Sequence, residues 1–378
     1  MESDIKYPVE IENVSSLYYW VNPRKLKNRF MIKSVFVYFF IFISHLTIMA
    51  QSVYVDSNIG NDNNTGTKES PVFSINKAAE IVDNTGNDFY KIKINPGIYI
   101  LNKHVEVATK KTMLNKRIVI EASILPDNSI WTPEKMPIII SRSNAGEIMA
   151  DDDFLRDNWI TCFYINESHV TIRGLKFLGY NYPTKIFYPI TRFNKLKTDL
   201  LIEQCMFLGD LQTASIQVCI IAHGDSVKVD HCVFYNANNS VVYWHDSGNG
   251  YKTGNSMTNC IIYGASESAV YTCYADNDFL FKNNIVSNCK IFWSKCPQFN
   301  NAAYSLDSCI VVNCKIHKGN GADSLAFTLN ETNVIKEGRI SLRMINTIWE
   351  PFPNDHLHII PGTLGYNLGA GLFKYKKQ

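Results

Sequence analysis

"VKVDHCVFYN", residues 227–236, decides the fold of this chain, because similar segments recur along the sequence. Aligned on Cys232, they place Cys205, Cys260, Asn284 and Cys309 at equivalent positions, with successive spacings of 27, 28, 24 and 25 residues. Self-similarity at this period is typical of solenoid proteins, in which each repeat packs against its neighbours. The related segments are LLIEQCMFLG (200–209), SMTNCIIYG (256–264), LFKNNIVSN (280–288) and SLDSCIVVN (305–313), with VTIRGLKFLG (170–179) as an earlier member.

Apolar residues alternate with polar ones inside each repeat, as at Val227 and Val229. A period of two is typical of a β-strand and not of a helix. Strands joined by short corners, at about 25 residues per coil, predict an all-β fold, a right-handed parallel β-helix. We expect it to run from about Val53 to Phe373, with a short helix at residues 74–82 capping the first coil.

Several of the ten cysteines recur at the spacing of the repeat and do not form a compact disulfide pattern. Equivalent residues of neighbouring coils stack about 4.8 Å apart, so the aligned cysteines should form a ladder inside the solenoid. Cys289 and Cys314 are expected to form a second stack. Buried reduced thiols are favoured over disulfides, since cysteine packs as a small hydrophobic residue. A metal site fits less well, because the sequence contains no C-x-x-C pair.

Two further segments carry a family resemblance. YVDSNIGNDNNTGTKESPVFSINKA (54–78) followed by NPGIYIL (95–101) resembles the opening of secreted right-handed β-helix proteins of the pectate-lyase-like superfamily. GYNLGAGLF (365–373) is similar to the closing segment of such chains. The resemblance implies the same fold and an extracellular carbohydrate context. It implies no particular reaction, because one fold carries many functions.

The N-terminal part of the chain predicts export. MIKSVFVYFFIFISHLTIMAQS (31–52) has a lysine near its start, an apolar run, and Ala50 as a small residue at a cleavage point. This is the pattern of a signal peptide over residues 31–50, within an N-terminal extension of residues 1–50. A membrane anchor is the alternative, although the run is shorter than a span of about 20 residues. Residues 51–378 are then the exported β-helix domain, and either Met1 or Met31 fits as the start.

The balance of charges excludes one class of partner. The net charge is +2 and 19% of the residues are charged, which does not favour nucleic-acid binding. We expect a monomer that acts on a polysaccharide outside the cytoplasm.

The candidate site lies around YWHDSGNGYKTGN (243–255), a long turn with three glycines. Alternation that turns Val242, Val270, Ile291 and Ile316 inward would turn Tyr243, Tyr271, Phe292 and His317 outward as an aromatic stripe. Stacked coils bring together side chains that follow equivalent strand ends. We therefore predict one shallow polysaccharide groove lined by Tyr243, His245, Asp246, Lys252, Tyr271, Asp276 and Lys295.

Two reactions suit such a groove. A lyase acting on uronic acids needs a cation and a base: Asp225, Asp246 and Asp276 are candidate Ca²⁺ ligands, and His245, Lys252 or Lys295 a candidate base. A hydrolase needs two carboxylates, and Asp246 with Asp276 on adjacent coils fits the separation of about 5–5.5 Å that retention requires. In these schemes Tyr243, Tyr271 and Lys295 bind the substrate. The alternative is a non-catalytic β-helix that binds carbohydrate or forms a surface structure, because aspartates in turns commonly bond to the turn itself.

Overall fold

The protein was analysed as a computed structural model that describes residues 51–84, 89–108, 117–143, 159–181, 186–244, 252–273, 278–296, 302–319, 327–345 and 351–375. The predicted signal peptide lies outside these residues. One α-helix, α1 (Ile75–Asn84), and 26 short strands are present in the described part of the chain. The first thirteen strands are β1 (Gln51–Val55), β2 (Phe89–Ile94), β3 (Ile98–Leu101), β4 (Val105–Val107), β5 (Arg117–Ala122), β6 (Ile138–Ser141), β7 (Trp159–Ile165), β8 (Val170–Arg173), β9 (Lys176–Leu178), β10 (Ile186–Arg192), β11 (Leu200–Glu203), β12 (Met206–Leu208) and β13 (Val218–His223). The others are β14 (Val227–Asp230), β15 (Val233–Tyr235), β16 (Asn239–Trp244), β17 (Ser256–Thr258), β18 (Ile261–Tyr263), β19 (Ser268–Cys273), β20 (Leu280–Lys282), β21 (Ile285–Ser287), β22 (Ile291–Lys295), β23 (Ala302–Asp307), β24 (Ile310–Val312), β25 (Ile316–Lys318) and β26 (Phe327–Thr332).

These strands form three parallel sheets, and each complete coil contributes one strand to each sheet. The first sheet has the order β1-β2-β5-β8-β11-β14-β17-β20-β23-β26, the second β3-β6-β9-β12-β15-β18-β21-β24, and the third β4-β7-β10-β13-β16-β19-β22-β25. The predicted right-handed parallel β-helix is therefore confirmed. Among the described residues, no helix has both the length and the hydropathy needed to cross a membrane.

The corner between the first and second sheets is a single residue with left-handed backbone. Gln204, His231, Asn259, Asn283 and Ser308 hold this position, with φ between 49° and 54°. Non-glycine residues rarely adopt positive φ, and asparagine does so more readily than most. One such residue turns the chain sharply enough that the next residue points back into the solenoid.

That next residue is the predicted ladder position, and the ladder is confirmed. Cys205, Cys232, Cys260 and Cys309 are fully buried, and no disulfide links any of the ten cysteines, all of which are described. Each thiol donates to the carbonyl oxygen two residues earlier, at 3.1–3.4 Å. Asn284 takes its place in the ladder, where its Oδ1 accepts from the Cys260 backbone nitrogen at 2.8 Å.

Helix α1 caps the N-terminal end, as predicted, and extends two residues beyond the expected range. Ser74 Oγ accepts a hydrogen bond from the Lys77 backbone nitrogen at 3.1 Å, which satisfies one donor at the start of the helix. The buried face of α1 consists of Ile75, Ala78 and Val82, which belong to the main core. The helix covers apolar side chains of the first coil that no preceding coil would shield.

The C-terminal end differs from the prediction, because the last strand ends at Thr332 and the coil continues only to Ile335, which pairs with Ile310, and not to about Phe373. The described chain beyond Ile335 packs across the outer face of the second sheet, where Leu357 and Leu372 join an apolar cluster with Val233 and Ile261. The Gly371 backbone nitrogen donates to Asn259 O at 2.8 Å. Gly371 has φ +114, and a Cβ there would lie 2.3 Å from a His358 ring carbon, so only glycine fits.

The first sheet carries charges on its outer face. Arg173 bonds to Glu121 at 2.5 Å and to Glu203 at 3.2 Å across three neighbouring strands. Lys374, from the C-terminal segment, also pairs with Glu203. The two glutamates are buried by these partners, so this network ties neighbouring coils and the C-terminus together.

Candidate functional site

The outer face of the third sheet forms an open groove of about 440 Å³. Its floor is made of two rows of side chains, each row crossing four neighbouring strands in register. The first row is Val218, Asn239, Ser268 and Ile291, and the second is Ile221, Val242, Tyr271 and Ser294. Because parallel strands lie about 4.8 Å apart, the rows extend about 14 Å along the axis of the solenoid.

Aromatic rings border this floor. Tyr188, Trp244 and Tyr271 all line the groove and are half-buried. The Trp244 ring is stacked on His223, with centroids 5.4 Å apart and an angle of 7° between the planes. Tyr188 packs edge-on against Trp159 at 5.2 Å. These contacts hold the rings in place while leaving part of each exposed to the groove.

The polar groups of the groove form short hydrogen bonds with one another. Asn239 Nδ2 donates to Glu267 Oε2 at 2.6 Å, and the Ser268 and Ser294 hydroxyls lie 2.5 Å apart. Burial, and then the negative charge of Glu267, raises the pKa of Tyr188 to about 12. Burial, together with the neighbouring thiols of Cys273 and Cys296, also raises the pKa of Tyr271. Both phenols therefore remain protonated at neutral pH and can donate or accept hydrogen bonds.

Tyr243, predicted to face this groove, points the other way. Its side chain is fully buried in the core, where the ring packs edge-on against Phe279 at 4.9 Å and the hydroxyl donates to Ser256 O at 2.8 Å. The predicted orientations of Phe292 and Ile291 are also wrong, since Phe292 lies in the core and Ile291 lines the groove. The reason is register, because Tyr271 pairs with Val242 and not with Tyr243. A shift of one residue moves a side chain to the other face of a strand.

Of the other predicted binding residues, Tyr271 faces outward as expected. Lys295 is buried on the row of Tyr243 and Thr272, and its Nζ donates to Cys296 O at 3.2 Å. Burial lowers the pKa of Lys295. Lys252 is exposed and does not line the groove. The structure therefore does not bring these two lysines to the groove floor.

Among the remaining predicted site residues, the structure describes no pair of carboxylates. His245, Asp246 and Asp276 lie outside the described residues. Asp225 follows β13, where its carbonyl oxygen accepts from Nη2 of the buried Arg192 at 3.0 Å, and its charge counteracts the effect of burial on the Arg192 pKa. Within the described ranges, no three His, Cys, Asp or Glu side chains are grouped to hold a metal ion. Calcium binding stays a prediction.

Sequence reasoning missed Tyr188, Trp244, Asn239, Glu267 and Lys290, all of which line the groove. Trp244 lies within the segment 243–255, one residue after Tyr243. If the inward and outward positions of this strand had been assigned correctly, Trp244 would have been predicted to face outward. Glu267 lies in the corner before β19, and no sequence signal separates it from an ordinary turn residue. Glu267 is the one carboxylate in the described lining of the groove, whereas glycoside hydrolysis generally requires two.

Neither a protein family model nor a curated protein matches this chain. Solved structures do show a likeness at low sequence identity. A rhamnogalacturonan lyase is 14% identical, with 71% of this chain and 70% of that chain covered and a TM-score of 0.42. A GH136 lacto-N-biosidase from Eubacterium ramulus is 8% identical, with 76% and 68% covered and a TM-score of 0.44. XylC, solved in complex with xylose, is 9% identical over the same shares, with a TM-score of 0.38. These likenesses concern the fold alone.

Proposed function

We propose that the groove on the third sheet binds a polysaccharide. The observation that carries this proposal is the contrast between the three outer faces in the described part of the chain. The first face carries a network of ion pairs, and the second is covered by the C-terminal segment from β12 to β24. The third presents half-buried aromatic rings and hydrogen-bonding side chains beside an open floor.

The chemistry of the groove matches that of a sugar chain. Sugar rings have apolar C–H faces and hydroxyl edges, so they pair with side chains that offer an apolar surface and a polar tip. Tyr188, Trp244 and Tyr271 supply such surfaces. Asn239 and Glu267 supply donors and acceptors at the same level of the groove. A floor that repeats from strand to strand suits an extended polymer better than a compact ligand.

The charges of the groove favour a neutral polysaccharide. The described lining has one acidic side chain, Glu267, and one basic side chain exposed to solvent, Lys290. A polyuronate would need several cations to offset its regularly spaced carboxylates. We therefore propose a neutral chain as the ligand. Hydrolysis of that chain stays a prediction, as does secretion from the cell, whereas elimination would require a uronic acid chain, which the charges of the groove do not favour.

The test is a binding screen of the purified protein against neutral and acidic polysaccharides, with Trp244→Ala and Tyr271→Ala as variants. An aromatic contact contributes about 0.5–1.5 kcal/mol, so each variant should bind about two- to tenfold more weakly. Tyr263→Ala is the matched control, since Tyr263 is a half-buried tyrosine stacked on Tyr235 at 5.7 Å on the second sheet. Equal binding by wild type and both groove variants would refute the proposal.

The same panel tests for catalysis. Reducing ends report hydrolysis, and ultraviolet absorbance of unsaturated products reports elimination, each measured with and without Ca²⁺. Glu267→Gln keeps the shape of the side chain and removes its charge. Turnover that disappears in this variant while binding persists would assign Glu267 to the reaction. Turnover that is unaffected would leave the groove as the binding site and exclude Glu267 from the chemistry.

A further inference from the structure

Two cysteines face each other across the last coils of the solenoid. Ser287 pairs with Val312 in the second sheet and Ile291 pairs with Ile316 in the third, which places Cys289 opposite Cys314 at the corner between them. The Lys315 backbone nitrogen donates to Cys289 O at 3.1 Å, so the parallel pairing continues through the corner. Each thiol donates to the carbonyl oxygen two residues earlier, at 3.4 Å for Cys289 and 3.7 Å for Cys314, so the two side chains have equivalent orientations on neighbouring coils.

This geometry is compatible with a covalent bond. Neighbouring parallel strands lie about 4.8 Å apart, and disulfides join residues whose Cα atoms are about 4.4–6.8 Å apart. Cα atoms at paired positions therefore already lie within the required range. A disulfide also requires Cβ atoms about 3.5–4.5 Å apart, slightly less than the strand spacing, so formation of the bond draws the two corners a little closer together.

One member of the pair, Cys314, is partly exposed, whereas Cys289 is buried. Cys314 is half-buried, whereas the ladder cysteines Cys205, Cys232 and Cys260 are fully buried. The neighbouring Cys289 thiol lowers the pKa of Cys314, while burial raises the pKa of both Cys289 and Cys232 well above the usual value. Thiolates are the reactive form of cysteine, so Cys314 is a better nucleophile than a ladder thiol.

We propose that Cys289 and Cys314 form a disulfide between adjacent coils when the protein meets an oxidising environment. Strands β24 and β25, which flank Cys314, are the last strands of the second and third sheets. In the described part of the chain, β25 has a strand neighbour on one side only, and β24 has beyond it only the single bridge between Ile310 and Ile335. The end of a solenoid opens most easily. The bond would fasten the final corner to the preceding coil.

The reaction needs a small disulfide, such as oxidised glutathione, as the oxidant. The Cys314 thiolate attacks one of its sulfur atoms, the S–S bond breaks, and one glutathione leaves as a thiolate. The Cys289 thiolate then attacks the Cys314 sulfur and releases the second glutathione. The protons lost by the two cysteines go to the two departing thiolates. Two protein thiols are oxidised to one disulfide, and one small disulfide is reduced to two thiols.

The bond would also affect the groove. Cys289 is followed directly by Lys290 and Ile291, which line the groove, and Ile291 begins β22. Fastening Cys289 to the next coil restrains this edge of the groove against local opening. The inference concerns the fold and does not depend on the identity of the groove ligand.

The test is a peptide map of the full chain after incubation with oxidised glutathione and alkylation of the remaining thiols, compared with a reduced sample. The expected product is a cross-linked peptide pair containing Cys289 and Cys314, lighter by two hydrogen atoms and separated by dithiothreitol. The melting temperature should rise by several degrees on oxidation, because a cross-link restricts the unfolded chain.

Cys314→Ser should abolish both the cross-link and the rise in melting temperature. Cys296→Ser, which changes a cysteine on the outer face of the third sheet, is the control and should leave both intact. The peptide map of the wild-type protein tests the proposal without any variant. A variant that fails to fold therefore does not affect the conclusion. The proposal is overturned if all ten thiols stay alkylatable, if glutathione remains attached to single cysteines, or if the cross-link joins another pair such as Cys273 and Cys296.

Discussion

Replacing Tyr243 with phenylalanine removes one hydroxyl from the interior of the β-helix and leaves the ring in place. That hydroxyl donates to Ser256 O at 2.8 Å, and the ring lies in the core against Phe279. A buried hydrogen bond contributes about 0.5–1.5 kcal/mol, and a buried acceptor left without a partner costs about 1–3 kcal/mol. We expect Tyr243→Phe to lower the free energy of unfolding by about 1–2 kcal/mol and to leave polysaccharide binding unchanged.

Denaturant unfolding measures the first quantity, provided that the m-value stays the same, and the binding screen measures the second. Tyr271→Phe is the matched comparison, because Tyr271 lies on the outer face of the adjacent strand, in register with Val242. Tyr271 lines the groove, so this variant should affect binding more than stability. A Tyr243→Phe protein with normal stability and weakened binding would refute the inward orientation of Tyr243.

Three further predictions follow from the ladder, the C-terminal segment and the N-terminus. Cys232→Ser places a hydroxyl in an apolar stack and should destabilise the protein by about 1–3 kcal/mol in denaturant unfolding, whereas an unchanged midpoint would contradict the ladder. Burial lowers the pKa of His358 from 6.5 to about 4, and its Nε2 accepts from the Leu372 backbone nitrogen at 2.8 Å. The unfolded chain therefore binds the proton first. The stability that neutral His358 contributes, about 3 kcal/mol, is full above pH 6.5 and is lost as the pH falls through about 4. The His358→Asn variant should lack this pH dependence of the free energy of unfolding. N-terminal sequencing of protein from the native host should find residues 31–50 removed, and a mature chain that retains them would indicate an anchor.

The fold could be predicted because the repeat encodes it at two levels. The position before each ladder residue requires a left-handed corner, and asparagine, serine or another polar residue stands there in each aligned repeat. The ladder position itself requires a small side chain that fits inside the coil, and cysteine fills it four times in the five aligned repeats. Both requirements act within a few residues of each other. They therefore produce a local sequence pattern that an alignment of the sequence with itself detects.

The C-terminal segment has a weaker sequence signal, because the residues that it contacts are distant in sequence. Gln204 donates through Nε2 to Leu372 O at 2.8 Å, and the backbone nitrogen of Lys374 donates to Asp127 at 3.0 Å. No local pattern of residues 333–375 specifies contacts of this range. The apolar residues of the segment are equally compatible with another coil and with a segment that covers a sheet. The structure shows that they cover the outer face of the second sheet.

The groove depends on a register that changes from coil to coil. Val242, Tyr271 and Ser294 are neighbours across β16, β19 and β22, yet they stand 10, 11 and 10 residues after the ladder positions Cys232, Cys260 and Asn284. One extra residue in the corner before β19 is enough to exchange the inner and outer faces in any alignment based on the ladder. The repeat that reveals the solenoid therefore cannot assign the outer face of the third sheet. That face must be determined from the strand pairing itself, and it is the face on which the proposed function rests.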